Sequence, residues 1–227
     1  MSRPLINCDL GEWEPPALTA ALMPHLDLAN IACGGHAGSA ESIERCLSLC
    51  ALHDVQPGLH PGSPQNQGRG HIDLSPNEFL ELLEEQWTFF KGFCPSPHHI
   101  KLHGSLYHLS ETDPRIRASY IRFLEEKSLT CLCLADGKVV AALKELNHPY
   151  LAEAFLDRNY HSDGSLVPRT SPNAILSDET ALQTRITTRT IRTIDSLTLS
   201  PQIDTFCIHS DSPNALEIAK LAKPSKP

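Results

Sequence analysis

Seven short apolar runs alternate along this chain with longer stretches of helical periodicity, and this alternation constrains the fold more than any other feature. Short apolar runs bounded by turn residues are typical of buried strands, and amphipathic stretches are typical of helices that cover a sheet. The runs are residues 5–10, 28–33, 55–60, 99–103, 129–134, 150–155 and 206–209. Because strands and helices alternate, the sequence predicts parallel βαβ units.

About seven units are roughly one fewer than the eight of the usual barrel of about 250 residues. We therefore expect an α/β fold in which an irregular (β/α) barrel closes with about seven parallel strands. An open doubly wound sheet is the alternative, and the pattern alone does not separate the two. No linker or shift in composition interrupts the sequence, so we expect residues 1–227 to form a single domain.

Local signals predict where several helices begin. Ser39 and Asp113 precede amphipathic stretches, and Ser75 is followed by Pro76 and by Glu78 in a capping-box pattern. Ser212-Pro213 predicts the start of the last helix, and a further helix is expected over about 178–195.

Composition excludes some classes of partner. The chain has 27 acidic and 19 basic residues, a net charge of −8, and no block of Lys and Arg, which argues against nucleic acid or an anionic membrane surface. No apolar run approaches the about 20 residues that span a bilayer, and no leader pattern is visible, so a cytoplasmic protein is expected. The eight cysteines form no C-x-x-C pair and are expected to be buried, reduced thiols.

Polar and charged side chains stand at the carboxyl ends of most of the predicted strands. Parallel strands direct these ends to one face, where α/β folds place their active sites. The candidates for catalysis are Asp9, Glu12, His36, Lys101, His103 and Glu153. Lys101 lies inside an apolar run, where an unpaired ammonium is costly, so a partner carboxylate or anion is implied.

Two chemistries suit this set of residues. Asp9, His36, His60 and His103 are candidate ligands for a divalent metal that activates water. Alternatively, the same groups act without metal as a general acid and base. Neither H-E-x-x-H nor a Walker-type G-x-x-x-x-G-K-[ST] is present, so the sequence supports neither a zincin nor a P-loop nucleotide site. Glu153 and Asp157 are equally consistent with a structural ion pair to Arg158.

Several blocks of sequence resemble, in order, the signature blocks of the LamB/YcsF family. They are Asn7-Cys8-Asp9-Leu10-Gly11-Glu12, Asn30-Ile31-Ala32-Cys33-Gly34, His36-Ala37-Gly38, His60-Pro61-Gly62, Lys101-x-His103-Gly104, Glu153-x-Phe155-x-Asp157-Arg158 and Val167-Pro168-Arg169. The resemblance implies a glycoside hydrolase/deacetylase-like barrel. It also implies ATP-dependent opening of 5-oxo-L-proline to L-glutamate, together with the B- and C-type partner subunits of a 5-oxoprolinase.

From this resemblance we expect a substrate-binding set, which is Asn7, Asn30, His60, Arg69, Asp157, Arg158, His209 and Asp211. ATP, handled largely by the partner subunits, is expected to phosphorylate the lactam oxygen. Asp9 or Glu12 is then the base for water, and His36 or His103 is the acid for the leaving nitrogen. Lys101 and Arg158 are expected to offset negative charge.

Two other functions remain open at this point. One is a metal-dependent amidohydrolase or deacetylase that acts on another small substrate. The other is a non-catalytic family member that serves as a binding subunit, suggested by the loop 63–70, SPQNQGRG, which departs from the family's sequence there.

Overall fold

Seven parallel strands close into a barrel in the computed structural model, which describes residues 3–223. Nine strands are described, and the seventh and eighth lie outside the barrel: β1 Leu5–Leu10, β2 Leu28–Ala32, β3 Gln56–His60, β4 His99–Ile100, β5 Thr130–Leu134, β6 Tyr150–Phe155, β7 Ile191–Arg192, β8 Thr198–Leu199 and β9 Thr205–His209. The barrel order is β1-β2-β3-β4-β5-β6-β9, and β9 pairs with both β1 and β6. The predicted barrel is confirmed, and the open sheet is wrong. The first two and last four residues of the predicted domain lie outside the described range.

Eight α-helices are found among the described residues. They are α1 Pro16–Leu22, α2 Ala40–His53, α3 Pro76–Lys91, α4 Gly104–Thr112, α5 Pro114–Lys127, α6 Lys138–Glu145, α7 Glu179–Thr188 and α8 Ala215–Ala222. The side chains of Ser39, Ser75 and Asp113 accept hydrogen bonds from backbone N–H groups in the first turns of α2, α3 and α5, as predicted. Helices α1 and α4 were not predicted.

Two predicted helix boundaries are wrong. The helix expected over about 178–195 ends at Thr188, because Arg189 adopts a left-handed conformation with φ of 54°. The chain then forms the antiparallel hairpin β7–β8. The last helix begins at Ala215 with Asn214 at its N-cap, two residues after the predicted Ser212-Pro213.

The first strand shows how the barrel separates its apolar and polar side chains. Ile6, Cys8 and Leu10 are fully buried in the hydrophobic core. The alternate residues Asn7 and Asp9 instead bond to side chains of β2, of β9 and of the segment after β4. Since β4 does not pair with β1, the contact with its extension crosses the barrel interior. This interior is therefore lined by polar side chains.

Strand β4 is shorter than predicted, with ladder pairing only at His99–Ile100. Its extended course continues, however, because the N–H groups of Lys101 and His103 still donate to the carbonyls of Leu59 and Pro61. This extension carries two candidate site residues to the mouth of the barrel. All eight cysteines are buried and unpaired, as expected. No helix among residues 3–223 is long and apolar enough to cross a bilayer.

Candidate active site

A buried ammonium lies between two carboxylates at the carboxyl end of the barrel. Lys101 Nζ is 2.8 Å from Asp9 Oδ1 and 3.2 Å from Glu153 Oε1, and it also contacts Cys207 Sγ at 2.9 Å. The Lys101 side chain is 2% exposed and that of Glu153 is 0% exposed. The sequence implied one partner carboxylate for Lys101, and the structure shows two, those of Asp9 and Glu153.

Opposite charges keep Asp9 and Lys101 ionised although both side chains are buried. Burial alone would raise the pKa of Asp9, but the positive charges of His60 and Lys101 outweigh it and hold the pKa well below its usual value. Burial likewise works to lower the pKa of Lys101, and the negative charge of Asp9 outweighs it, so that pKa is raised. Asp9 and Lys101 therefore form an ion pair at neutral pH.

A chain of hydrogen bonds fixes Asp9 from below. Asn30 Nδ2 donates to Asp9 Oδ1 at 2.8 Å and to Asn7 Oδ1 at 2.7 Å, and Asn7 Nδ2 donates to Thr205 Oγ1 at 2.9 Å. His99 Nε2 lies 2.8 Å from Asn30 Oδ1, and burial lowers the pKa of His99 well below its usual value. Both asparagines are 0% exposed, and their side chains orient Asp9.

Three histidines surround a single carboxylate oxygen at the mouth. Glu12 Oε1 lies 2.7 Å from His36 Nε2, 3.1 Å from His103 Nδ1 and 3.6 Å from His60 Nε2. The rings of His36 and His103 are stacked, with centroids 3.7 Å apart. His60 Nδ1 is 2.7 Å from the carbonyl oxygen of Lys101, which fixes the orientation of that ring.

Glycines make room for the stacked rings. A Cβ atom at Gly62 would lie 2.2 Å from His36 Nδ1, and one at Gly68 would lie 2.6 Å from His103 Cδ2. Gln86 holds this loop in place, because its amide donates to the Gly62 carbonyl at 2.9 Å and accepts from the Gly62 N–H at 3.0 Å. Gln86 was not among the predicted site residues, although its polar side chain on the apolar stripe of α3 was a usable signal.

Burial and hydrogen bonding set the charge of the histidine cluster. Burial lowers the pKa of His36, and it lowers the pKa of His103 to about 4. Burial would raise the pKa of Glu12, but hydrogen bonds from His103 and His36 outweigh it, so that pKa is lowered. His60 differs: burial works against its charge, yet the negative charge of Asp9 raises its pKa. The stacked pair is therefore uncharged at neutral pH.

A carboxylate–imidazole pair follows strands β6 and β9. Asp157 Oδ1 lies 2.9 Å from His209 Nδ1, and Asp157 Oδ2 accepts from the Ser212 hydroxyl and from the His209 N–H. Burial would raise the pKa of Asp157, but the charge and hydrogen bonds of His209 outweigh it and bring the pKa to about 2. The His209 ring stacks on Phe155, and one ligand atom of His209 lies within 4.8 Å of an Asp9 oxygen.

Arg158 does not make the ion pair that was one of its two predicted roles. Within residues 3–223 neither Glu153 nor Asp157 is its salt-bridge partner. Its guanidinium instead donates to the carbonyl oxygens of Val167 at 2.7 Å and Ala174 at 3.3 Å. Two of the donors of Arg158 therefore fix the loop after β6.

Two other arginines meet at the rim of the mouth. Arg69 Nη2 lies 2.7 Å and Arg169 Nη1 lies 2.8 Å from the same oxygen of Asp211. The Arg69 guanidinium is 6.0 Å from the centroid of Trp13, whose ring meets His36 edge-on at 5.9 Å. Arg169 and Trp13 were not among the predicted site residues. Arg169 stands in a block that resembles the family, and this was the signal for it.

Two groups of side chains could hold a metal ion among the described residues. In each group, one possible ligand atom per residue lies within 4.8 Å of the others. The groups are Glu12 with His36, His60 and His103, and Asp9 with Cys207 and His209. The predicted ligands His36, His60 and His103 come together in the first group, whereas Asp9 belongs to the second.

The LamB/YcsF family model matches residues 5–225, nearly the whole chain. The chain belongs to the LamB/YcsF family. This LamB/YcsF chain is 34% identical over 230 residues to a protein of Vibrio cholerae serotype O1 that is named as the A subunit of 5-oxoprolinase, with 94% of this chain and 93% of that protein covered. It is 33% identical to the protein of the same name from Limosilactobacillus fermentum, with 96% and 93% covered.

A crystal structure of a lactam utilization protein from Thermus thermophilus superposes on this LamB/YcsF chain with a TM-score of 0.85. The two sequences are 27% identical, and the comparison covers 97% of this chain and 94% of the other. The seven-stranded barrel is thus shared along nearly the full length of both chains.

Proposed function

We propose that this chain is the A subunit of an ATP-dependent 5-oxoprolinase, which opens the lactam of 5-oxo-L-proline to L-glutamate with B- and C-type partner subunits. The observation that carries the proposal is the near full-length similarity to proteins named as A subunits of 5-oxoprolinase. The name of the Thermus relative, a lactam utilization protein, agrees with a cyclic amide as the substrate class. Because the reaction consumes ATP, we expect the complex to work in the cytoplasm.

The chemistry requires an activated amide and a proton for the leaving nitrogen. Since this chain has no Walker-type motif, we assign phosphorylation of the lactam oxygen by ATP to the partner subunits. The barrel then receives the phosphorylated ring. Water adds to the former carbonyl carbon, the ring C–N bond breaks, and the nitrogen takes a proton. A second water releases phosphate from the resulting γ-glutamyl phosphate.

The ion pair of Asp9 and Lys101 supports the addition of water to the phosphorylated ring. Asp9 or Glu12 accepts a proton from the attacking water, and Lys101 stabilises the negative charge that develops on the oxygens. Lys101 is fixed between Asp9 and Glu153, so its charge is in place before substrate binds. Pre-oriented charge of this kind is worth about 3–4 kcal/mol in the transition state.

The structure favours His209 over His36 or His103 as the proton donor to the ring nitrogen. The ring nitrogens of His36 and His103 that have a protein partner both face Glu12. In contrast, Asp157 contacts the His209 ring at Nδ1, which leaves the ring's Nε2 for the substrate. A buried carboxylate that orients an imidazole is a recurring arrangement for proton transfer.

The rim supplies cations for the substrate's negative groups. Arg69 and Arg169 both have partly exposed side chains, 40% and 31%, and they share the Asp211 carboxylate. Guanidinium groups bind carboxylates and phosphoryl groups through paired N–H donors. We assign these two arginines, and not Arg158, to the carboxylate or phosphoryl group of the substrate.

The experiment replaces the A subunit of the Vibrio cholerae and Limosilactobacillus fermentum complexes with this chain and follows glutamate release from 5-oxo-L-proline. Glutamate is expected only when ATP, the partner subunits and this chain are all present. The Lys101→Ala variant is expected to lose activity, whereas Lys144→Ala, at an exposed position of α6, is the matched control. If neither complex gains activity from this chain while both are active with their own A subunits, the proposal is rejected.

A further inference from the structure

The Glu12–histidine cluster has the dimensions of a metal site. Around Glu12 Oε1 the nitrogens of His36, His103 and His60 lie at 2.7, 3.1 and 3.6 Å, and His60 Nε2 is 3.0 Å from His103 Nδ1. Four ligands at about 2.0–2.1 Å from a tetrahedral zinc ion are separated from one another by about 3.3 Å. The measured separations bracket this value.

The cluster brings several potential ligand atoms to one point. His60 Nε2 and His103 Nδ1 face each other at 3.0 Å, and both also face Glu12 Oε1. A central cation would accept a lone pair from all four atoms. His60 Nδ1 already contacts the Lys101 carbonyl, and such an outer contact is what orients a metal-binding imidazole.

The charge of the surroundings also calls for a cation. Three buried carboxylates, those of Asp9, Glu12 and Glu153, are connected by contacts to only one ammonium, that of Lys101. With His60 neutral, as a metal-ligating imidazole must be, two of these negative charges remain, and a divalent ion would balance them. The side chains of Glu12 and His36 are 6% and 0% exposed, so water does little of this screening.

We propose that Glu12, His36, His60 and His103 bind a divalent transition-metal cation of the zinc type. Three imidazoles and one carboxylate suit Zn²⁺ or Co²⁺ and suit Mg²⁺ or Ca²⁺ poorly, because the latter two prefer oxygen ligands. The group of Asp9, Cys207 and His209 is not a rival site, since the Lys101 ammonium already contacts Asp9 and Cys207 and repels a second cation.

Metal binding at this cluster is a property of the isolated chain and does not depend on the proposed reaction. With an ion bound, Glu12 would be a metal ligand and Asp9 would remain as the base for water. The ion would supply Lewis-acid activation of an oxygen at the mouth.

The first test measures binding of Zn²⁺ and Co²⁺ to the chain after it has been stripped with a chelator. Metal content after gel filtration is expected to be one equivalent per chain, and Co²⁺ is expected to give the visible absorption of a four-coordinate site. His103→Asn is expected to weaken affinity at least 10-fold, measured by competition with a chromogenic chelator. His108→Asn, five residues further on and exposed, is the matched control and is expected to bind like the wild type.

A second measurement uses only the wild-type chain, so it does not depend on whether a variant folds. In a histidine ¹⁵N spectrum, zinc is expected to shift the resonances of His36, His60 and His103 and to leave those of His209 in place. Absence of stoichiometric binding, equal affinity of His103→Asn and the wild type, or shifts confined to His209 would each overturn the proposal.

Discussion

Replacing Lys101 with methionine removes a charge from between two buried carboxylates while keeping the length of the side chain. In the wild type the ammonium is 2.8 Å from Asp9 and 3.2 Å from Glu153, with all three side chains at most 8% exposed. In the variant no cation stands between these acids. Since water cannot take its place, the two negative charges are left to repel each other in the core.

The expected cost follows from this burial. Removing one partner of a buried ion pair typically destabilises a protein by about 3–5 kcal/mol. For a chain of this size, each kcal/mol corresponds to about 2–4 °C in melting temperature, so Lys101→Met is expected to lower it by about 6–20 °C. Activity in the reconstituted complex is expected to fall by about 10²–10³-fold, the effect of losing one pre-oriented charge.

The pH dependence gives the sharper assay. The pKa of Asp9 is lowered in the wild type, so folding releases a proton and the stability from this group is lost only in acid. In Lys101→Met, either Asp9 or Glu153 must take up a proton when the chain folds. The stability of this variant is therefore expected to increase as pH falls. The difference in melting temperature between Lys101→Met and the wild type is therefore expected to narrow from pH 7 to pH 5.

Two comparisons complete this test. Lys144→Met changes an exposed lysine of α6 and is expected to melt within about 2 °C of the wild type. Lys101→Met combined with Glu153→Gln removes one of the stranded charges and is expected to recover part of the lost stability. A melting temperature of Lys101→Met equal to that of the wild type at pH 7, or a difference that does not change with pH, would refute the electrostatic reasoning.

Three further predictions concern the rest of the site. Gly62→Ala places a Cβ against His36 Nδ1 and is expected to cost about 1–3 kcal/mol, measured by urea unfolding. Asp157→Asn removes the negative charge beside His209 and replaces one accepting oxygen with an NH₂ donor, so kcat is expected to fall by about 10²–10⁴-fold, with a changed pH profile. In the metal-free chain, the pKa of His103 measured by NMR is expected to be about 4. Because folding favours the neutral form of this histidine, its contribution to stability is present above about pH 6.5 and is lost as pH falls towards 4.

Two of these predictions have a matched comparison variant. Gly92→Ala lies at the end of α3, where a Cβ meets only a backbone oxygen at 3.3 Å, and it is expected to cost less than Gly62→Ala. Asp163→Asn changes an exposed acid in the loop after β6 and is expected to leave kcat unchanged. Equal effects of the two alanine changes, an unaltered kcat in Asp157→Asn, or titration of His103 near 6.5 would contradict the corresponding contact.

The barrel could be predicted from the sequence because strand and helix patterns alternate, but two helices could not. Both α1 and α4 begin without a side chain that caps the first turn, since Pro15 and His103 stand at their N-caps and make no capping bond. Helix α7 was overextended because nothing in the sequence marks Arg189 as left-handed. The starts of α2, α3 and α5 could be predicted, by contrast, because the capping residues Ser39, Ser75 and Asp113 bond to the first turns of their own helices.

The charged residues of the site were predictable because an unpaired charge inside or beside an apolar run requires a partner, whereas an uncharged histidine inside such a run gives no comparable signal. Asp9, Lys101 and Glu153 meet as the parallel topology requires. His99 was taken as part of an apolar run, although it supports Asn30 within the barrel. No sequence pattern distinguishes a histidine that points into a barrel from one that points outwards, because a shift of one residue reverses the direction.

The shared carboxylate of Asp211 has a mechanical consequence. Arg69 lies in the loop after β3 and Arg169 in the loop after β6, and both are held by this one side chain, which follows β9. An incoming anion that draws either arginine away from Asp211 breaks this link. The relative position of two loops that are far apart in sequence therefore depends on one carboxylate above the barrel.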